Sequence, residues 1–209
     1  MKQILLSIIL FLFIATAANA TSIDLNNYSW TWTDPNNNVH TYTVEFGGYD
    51  WDTAWTNMEN KYGNDAYLAT ITSLDEQLAM AGALDAFYQS NQGNYRKFSG
   101  EFWLGGVQKD DQNYAEDEGW EWATGEAFAF TYWQDGEPND WSIYNERHLG
   151  TWGRYDNWQW NDEHGNANIK GYIVETGTLY ANPEPTTMLL FGFGLIFIAG
   201  IGRKKYVLS

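Results

Sequence analysis

Residues 51–76 read WDTAWTNMENKYGNDAYLATITSLDE, and the fold class follows from how this stretch is punctuated. Trp51, Ala54, Trp55, Met58 and Tyr62 fall at i, i+3, i+4, i+7 and i+11. That spacing predicts one apolar face of a helix that stops before Gly63. Tyr67 to Ile71 reads as a short strand. Ser73-Leu74-Asp75-Glu76 is a capping-box pattern, in which the Ser and Glu side chains satisfy each other's orphan backbone N–H groups at the start of a second helix. Leu74, Leu78, Ala81 and Leu84 or Asp85 carry that helix toward Phe87-Tyr88, with Gly82 a mild weakness.

On either side of this helix–strand–helix unit the period changes from helical to alternating. Upstream, Tyr28, Trp30 and Trp32 alternate with polar residues, as do Tyr42, Val44 and Phe46 after the turn residues Asp34-Pro35-Asn36-Asn37. This predicts a β-hairpin. Downstream, Phe102-Trp103-Leu104-Gly105 and Trp120-Glu121-Trp122 read as strands, and Gly171-Tyr172-Ile173-Val174-Glu175 as a closing strand. Between them, residues 135–165 form a long polar stretch rich in Asn, Asp and Gly. Loops of that length are functional or disordered, and Trp141, Trp152, Trp158 and Trp160 argue for order. Two helices, short strands and an elaborate loop make an α+β domain.

The ends read differently. Lys2, an apolar run from Ile4 to Ile14 and the closing Ala18-Asn19-Ala20 have the order of a signal peptide, with the mature chain beginning at Thr21. The apolar run is shorter than the roughly 20 residues that a spanning helix needs. At the other end Pro183-Glu184-Pro185 precedes an apolar segment, residues 188–201, and the basic cluster Arg203-Lys204-Lys205. An apolar segment followed by such a cluster stops in a membrane with its basic end in the cytoplasm. One domain, residues 21–181, is expected between the removable signal peptide (1–20) and the tail (182–209).

The chain carries 27 acidic and 11 basic residues, a net charge of −16. Losing both ends removes four basic residues and one acidic residue, so the domain is more negative still. Such a surface repels nucleic acid and anionic lipid and attracts cations. There is no cysteine, which excludes disulfides and thiol chemistry. All twelve tryptophans lie in the domain. Some are needed for the core, and others could present flat rings to sugars.

Seven segments in order resemble the C-type lectin-like domain: 51–54, 67–71, 102–106, 120–122, Glu137-Pro138-Asn139, Trp160-Asn161-Asp162 and 172–175. The tail resembles the PEP-CTERM sorting tail of Gram-negative bacteria. The first resemblance implies a double-looped α+β fold whose long loop holds Ca2+ and sugar together. The second implies processing by an exosortase-type protease after transient inner-membrane association, then release to the cell surface or an extracellular exopolysaccharide matrix.

Calcium takes six to eight oxygen ligands at about 2.3–2.6 Å. Glu137, Asn139, Glu146, Asn161 and Asp162 offer carboxylate and amide oxygens. Glu137, Asn139, Glu146 and Asn161 could also hydrogen-bond the sugar hydroxyls, and Trp141 could stack on the ring. The resemblance implies a cis bond at Pro138, aiming Glu137 and Asn139 at one ion. It also implies, from the order Glu-Pro-Asn, recognition of mannose-, glucose- or fucose-type vicinal equatorial hydroxyls.

Departures from the family pattern accompany these features. Met58 and Val174 stand where one family disulfide would be, replaced by an apolar contact, and His148 and Gly165 stand where the other would be, with nothing in its place. A further calcium site is not expected, because Arg147 stands where an acidic ligand would be needed. An insertion, residues 153–159, adds Tyr155 and Trp158 beside the binding face or as local packing. His40, His148 and His164 have no metalloprotease spacing, and no nucleophile elbow or phosphate loop is present. A binding module is expected rather than an enzyme. A protein-binding or structural matrix module on the same fold is the alternative, because fold does not fix function.

Overall fold

The computed structural model describes residues 21–91, 100–109, 114–141, 145–153, 157–167 and 169–177. The expected signal peptide and sorting tail lie outside the described residues, as does Tyr155. The chain forms β1 (Thr21–Asp24), β2 (Ser29–Thr33), β3 (Val39–Tyr49), α1 (Trp51–Tyr62), a 3-10 turn at Gly63–Asp65, β4 (Ala66–Leu68) and α2 (Leu74–Ser90). It continues through β5 (Trp103–Gln108), β6 (Trp120–Trp122), β7 (His148–Thr151), β8 (Trp160–Glu163) and β9 (Ile169–Thr176).

The predicted hairpin is β2–β3, with Trp30 opposite Tyr42 and Trp32 opposite His40. One sheet runs β1-β2-β3-β9-β5-β7-β8, with β4 added to β9 and β6 to β5. The last strand therefore sits at the centre. It pairs antiparallel with β3 and β4 and parallel with β5 through Trp103 and Tyr172. This closes the ends of the domain against each other.

Alternation along β2 and β3 turns Trp30, Trp32, Tyr42 and Val44 inward. They join Phe87 of α2 and Phe102, Trp122, Trp158 and Trp160 in the larger core. Each large side chain buried this way contributes about 1.5–3 kcal/mol. A smaller core lies under α1, where Trp51, Ala54 and Met58 pack with Leu68, Trp103, Tyr172 and Val174. Met58 and Val174 thus meet in one apolar cluster, as expected. Helix α1 begins at Asp50, which accepts from the N–H of Thr53 at 2.7 Å, and ends at Gly63 with φ of 77°. Glycine adopts that φ without the Cβ clash that other residues meet.

Five expectations need correction. Helix α2 buries Glu76, Gln77, Met80, Ala83, Leu84 and Phe87, while Leu74 and Leu78 are about half exposed. Leu74 and Leu78 of the stripe read from the sequence are turned away from the core, because the polar side chains of Glu76 and Gln77 on the buried face find partners there, whereas Leu84 of that stripe is buried. The capping box is also only half formed. Ser73 accepts from the N–H of Glu76, but the Glu76 carboxylate accepts from the N–H and Oγ1 of Thr72, at 2.8 and 3.0 Å.

The strand expected to reach Ile71 ends at Leu68. Beyond it, Ala69 donates to the carbonyl of Ile173 and accepts from the N–H of Gly105, so its backbone bridges two strands outside a ladder. The long stretch 135–165 contains β7 and β8, paired from His148–Glu163 to Thr151–Trp160. Finally, the space at the His148–Gly165 pair is filled. A Cβ on Gly165 would stand 2.6 Å from His148 Cε1, so the imidazole occupies that gap. It also packs 5.0 Å from the Trp51 ring.

Candidate functional site

Strand β8 organises the site. Its alternation sends Trp160 into the core, and the Trp160 Nε1–H donates to Gln77 Oε1 at 2.9 Å. Asn161 and Glu163 point to the other side and line a cavity of about 560 Å³. Residues 132–134 run alongside β8, with Trp160 N–H donating to the Tyr132 carbonyl and Gln134 N–H to that of Trp160. They deliver Glu137 and Asn139 to the same cavity, across a Glu137–Pro138 peptide that is cis, as expected.

Asp162 locks this approach. Its carboxylate accepts from the N–H of Asn139 at 2.9 and 3.1 Å and from that of Asp140 at 2.7 Å. Asp162 is almost fully buried and is absent from the cavity wall. Glu146 completes the loop. Its N–H donates to Asp140 Oδ1 at 2.8 Å, and its own Oε2 accepts from the N–H of Trp141 at 3.0 Å. Of the expected site residues, the structure brings Glu137, Asn139, Trp141, Glu146 and Asn161 to one cavity and turns Asp162 onto the loop backbone behind them.

The wall also carries Glu101, Trp152, Glu163, His164 and Ala167, none of which was named as a site residue from the sequence. Glu101 and Trp152 come from the segments flanking β5 and β7, and no local motif marks them. Glu163 follows the Trp-Asn-Asp motif directly, so its alternation with Asn161 was the available signal. Trp158, weighed as a sugar platform, is core: it is 1% exposed, whereas Trp141 is 69% exposed.

Negative charge is crowded here. Burial, the adjacent Asp162 carboxylate and the charge of Glu146 push Glu137 up to about 8. Burial, then Glu101 and Glu146, pushes Glu163 up to about 8. Burial also raises Glu146 and Glu101. Glu137 Oε2 is buried without a hydrogen-bond partner, which is costly in a protein interior. Among the described residues, no three His, Asp or Glu side chains form a ready metal cage. Of the residues expected from the sequence, the wall carries two carboxylates, Glu137 and Glu146, and two amides, Asn139 and Asn161, all hard oxygen donors of the kind calcium takes.

Human lithostathine is similar over 66% of this chain and 92% of its own, at 14% identity and a TM-score of 0.52. The C-type lectin CEL-I from Cucumaria echinata is similar over 66% of this chain and 90% of its own, at 19% identity and a TM-score of 0.50. The fold is that of the C-type lectin-like domain. An EPNH mutant of CEL-I agrees over 66% of this chain and 89% of its own, at 20% identity and a TM-score of 0.51. At these identities the likeness concerns the lectin-like fold alone. Residues 183–204 match the PEP-CTERM protein-sorting motif. No curated protein sequence matches the chain. Among the described residues no helix is long and apolar enough to cross a membrane.

Proposed function

We propose that this lectin-like domain is a calcium-dependent carbohydrate-binding module that acts outside the cell and does not turn its ligand over. The observation that carries the proposal is Glu137, a carboxylate on the cavity wall with one oxygen buried and unpartnered. Asn139, Glu146 and Asn161 stand on the same wall. Calcium bound there would offer coordination positions to two neighbouring sugar hydroxyls.

The chain's own residues do the remaining work. Glu137 and Glu146 accept hydrogen bonds from those hydroxyls, and the amides of Asn139 and Asn161 donate to them. Asp162 holds the backbone at Asn139 and Asp140, and its carbonyl would serve as a further ligand to a bound calcium. Trp141 offers a ring face. The Glu-Pro-Asn order supports mannose-, glucose- or fucose-type hydroxyls. The sorting motif at 183–204 supports export, exosortase-type processing and a place at the cell surface or in the matrix, with exopolysaccharide as partner.

Glycan-array binding of the full-length protein, with calcium and with chelator, tests the reading. Calcium-dependent binding to mannose-type glycans is expected. Equal binding under both conditions would sink it.

One observation favours a second reading. Asp162 already closes the loop through protein hydrogen bonds alone, which suits a protein-binding or structural matrix module needing no metal. Asn139→Ala separates the two: it should abolish sugar binding and leave a protein partner's affinity intact.

A further inference from the structure

Strand β7 stands in the chain between two tryptophans of the cavity wall. Before it, Glu146 accepts from the N–H of Trp141 at 3.0 Å, and directly after it comes Trp152. Four residues of strand span about 13 Å, which is longer than one pyranose ring. The cavity, at about 560 Å³, falls within the range that encloses whole drug-sized ligands. A single ring held by calcium at Glu137, Asn139, Glu146 and Asn161 leaves the Trp152 indole for a further part of the ligand.

The backbone on both sides of Trp152 is fixed. On one side, Thr151 donates its N–H to the Phe102 carbonyl at 2.9 Å, and its Oγ1 accepts from the Phe102 N–H at 3.0 Å. On the other, the Trp152 N–H donates to the Gln159 carbonyl at 2.6 Å and the Trp158 N–H to the Gly153 carbonyl at 3.1 Å. These two bonds close the neck of the 153–159 insertion. Gln159 Nε2 then donates to the Trp133 carbonyl at 3.1 Å, in the segment that delivers Glu137. At the neck, Trp158 has a φ of 58°, which bulky residues rarely adopt. Core partners hold it there: its carbonyl accepts from Gln77 Nε2 at 3.0 Å, and its Nε1–H donates to Asp85 Oδ1 at 3.2 Å. Such strain persists where the surroundings over-determine it, and ligand clamps are a common setting. With the neck fixed, the Trp152 indole stays 36% exposed on the cavity wall. A large ring that is held in place yet left partly in water is set to bury its face against a ligand.

We propose that Trp152 forms a second sugar subsite, so that the cavity takes the end of a linear polysaccharide, with the terminal ring at the calcium group and a following ring stacked on the indole. This rests on the carbohydrate-binding reading above and names the ligand class as an unbranched chain of pyranoses with mostly equatorial substituents. Such rings gather axial C–H groups on one face, an apolar surface that lies flat against an indole. A branch on the second ring would hold that face away from Trp152.

Calorimetry of the full-length protein with calcium tests the subsite, using methyl mannoside and a linear 4-linked β-mannose tetramer. Only the terminal ring of that tetramer keeps a free vicinal equatorial hydroxyl pair, so each ligand offers calcium one equivalent end. The tetramer should bind about tenfold more tightly than the methyl glycoside. Trp152→Leu keeps an apolar side chain without a flat face and should bring the two affinities to within about twofold. Trp152→Phe should retain most of the difference. The Trp152 indole belongs to neither core, so both variants keep the fold. Equal binding of the two ligands by the unaltered protein overturns the proposal, as does a tenfold difference that survives Trp152→Leu. If the methyl glycoside binds and the tetramer gains nothing, the subsite fails and the carbohydrate reading stands. If neither ligand binds, both fail.

Discussion

His40 Nδ1 lies 2.7 Å from Glu175 Oε1 with both side chains buried, so an imidazole on β3 ties the hairpin to the central closing strand. The same Glu175 oxygen accepts from Tyr67 Oη at 3.0 Å, and its other oxygen accepts from the N–H of Thr70 at 3.0 Å. Glu76 joins the network through Tyr42 Oη at 2.5 Å. Two buried carboxylates thus share hydroxyl donors from β3 and β4, and the imidazole supplies compensating charge. His40→Ala leaves Glu175 buried without that partner and should cost about 3 kcal/mol. Urea melts measure this, and a loss within error would show that the hydroxyls suffice.

Stability should rise as the medium becomes mildly acidic. Burial, then the charge of Glu175, lifts Glu76 from 4.5 to about 7. A raised folded value contributes stability that is complete below pH 4.5 and is lost as pH rises through about 7. Burial alone would lower His40, but its hydrogen bond to Glu175 and the charges of Glu175, Glu76 and Asp34 outweigh burial and raise it above 6.5. Its contribution has the same sign and fades as pH climbs through the raised value. At the acid end the slope reverses. The side chain and N–H of Thr53 hold Asp50 below 3.8, and that contribution is lost as pH falls through its folded value. With chelator present, Tm should climb by on the order of 5 °C from pH 7.5 to pH 5. Glu76→Gln should flatten the climb. A flat profile in the unaltered protein would contradict the assignment.

Gln77 should be among the least replaceable polar residues. Fully buried on α2, it donates from Nε2 to the Trp158 carbonyl at 3.0 Å and accepts from Trp160 Nε1 at 2.9 Å. Gln77→Ala leaves a buried carbonyl and a buried indole N–H unmatched, at a cost of about 2–4 kcal/mol. Gln77→Glu keeps the acceptor for Trp160 but removes the donor. Chemical denaturation of the two variants should therefore show both destabilised, because each strands the Trp158 carbonyl.

Gly165→Ala tests the filled gap at His148. The new methyl would meet the imidazole at 2.6 Å, and overpacking of this kind costs about 1–3 kcal/mol. Burial holds His148 down at about 4, so the ring is neutral packing and cannot escape the clash by gaining charge. His148→Ala in the same chain should restore much of the loss. An unchanged Tm for Gly165→Ala would show that the ring is free to move.

Calcium should stabilise the domain, by about 2.7 kcal/mol at a hundredfold excess over Kd. Glu137→Gln should abolish that gain while leaving the metal-free domain as stable or slightly more so, since its carboxylate is crowded by Asp162 and Glu146. Thermal melts with calcium and with chelator read both effects. A calcium-induced shift that survives Glu137→Gln would remove this residue from the ligand set.

Local patterns were sufficient for much of the fold. The hairpin, α1 with its stop at Gly63, the starts of α2 and β5, and β6 all follow from period and punctuation, since alternation and helical spacing are properties of neighbouring residues. The register of α2 was not accessible in that way. Glu76 and Gln77 face inward because their partners, Tyr42, Trp158 and Trp160, arrive from distant parts of the chain. A hydrophobicity pattern scores those two residues as exposed.

At the site the division is similar. Glu137, Asn139, Glu146 and Asn161 were readable as hard oxygen donors, because donor chemistry belongs to the residue itself. Their meeting on one cavity wall, the turning of Asp162 onto the loop backbone, and the addition of Glu101, Trp152 and Glu163 depend on β7–β8 pairing beside β5. Amino-acid order thus determined the α+β class, the acidity, the absence of disulfides and the sorting motif at residues 183–204. Tertiary structure alone decided which carboxylates crowd together and which indoles stay in water. Burial and electrostatic neighbourhood are properties of space, and long-range pairing creates that space.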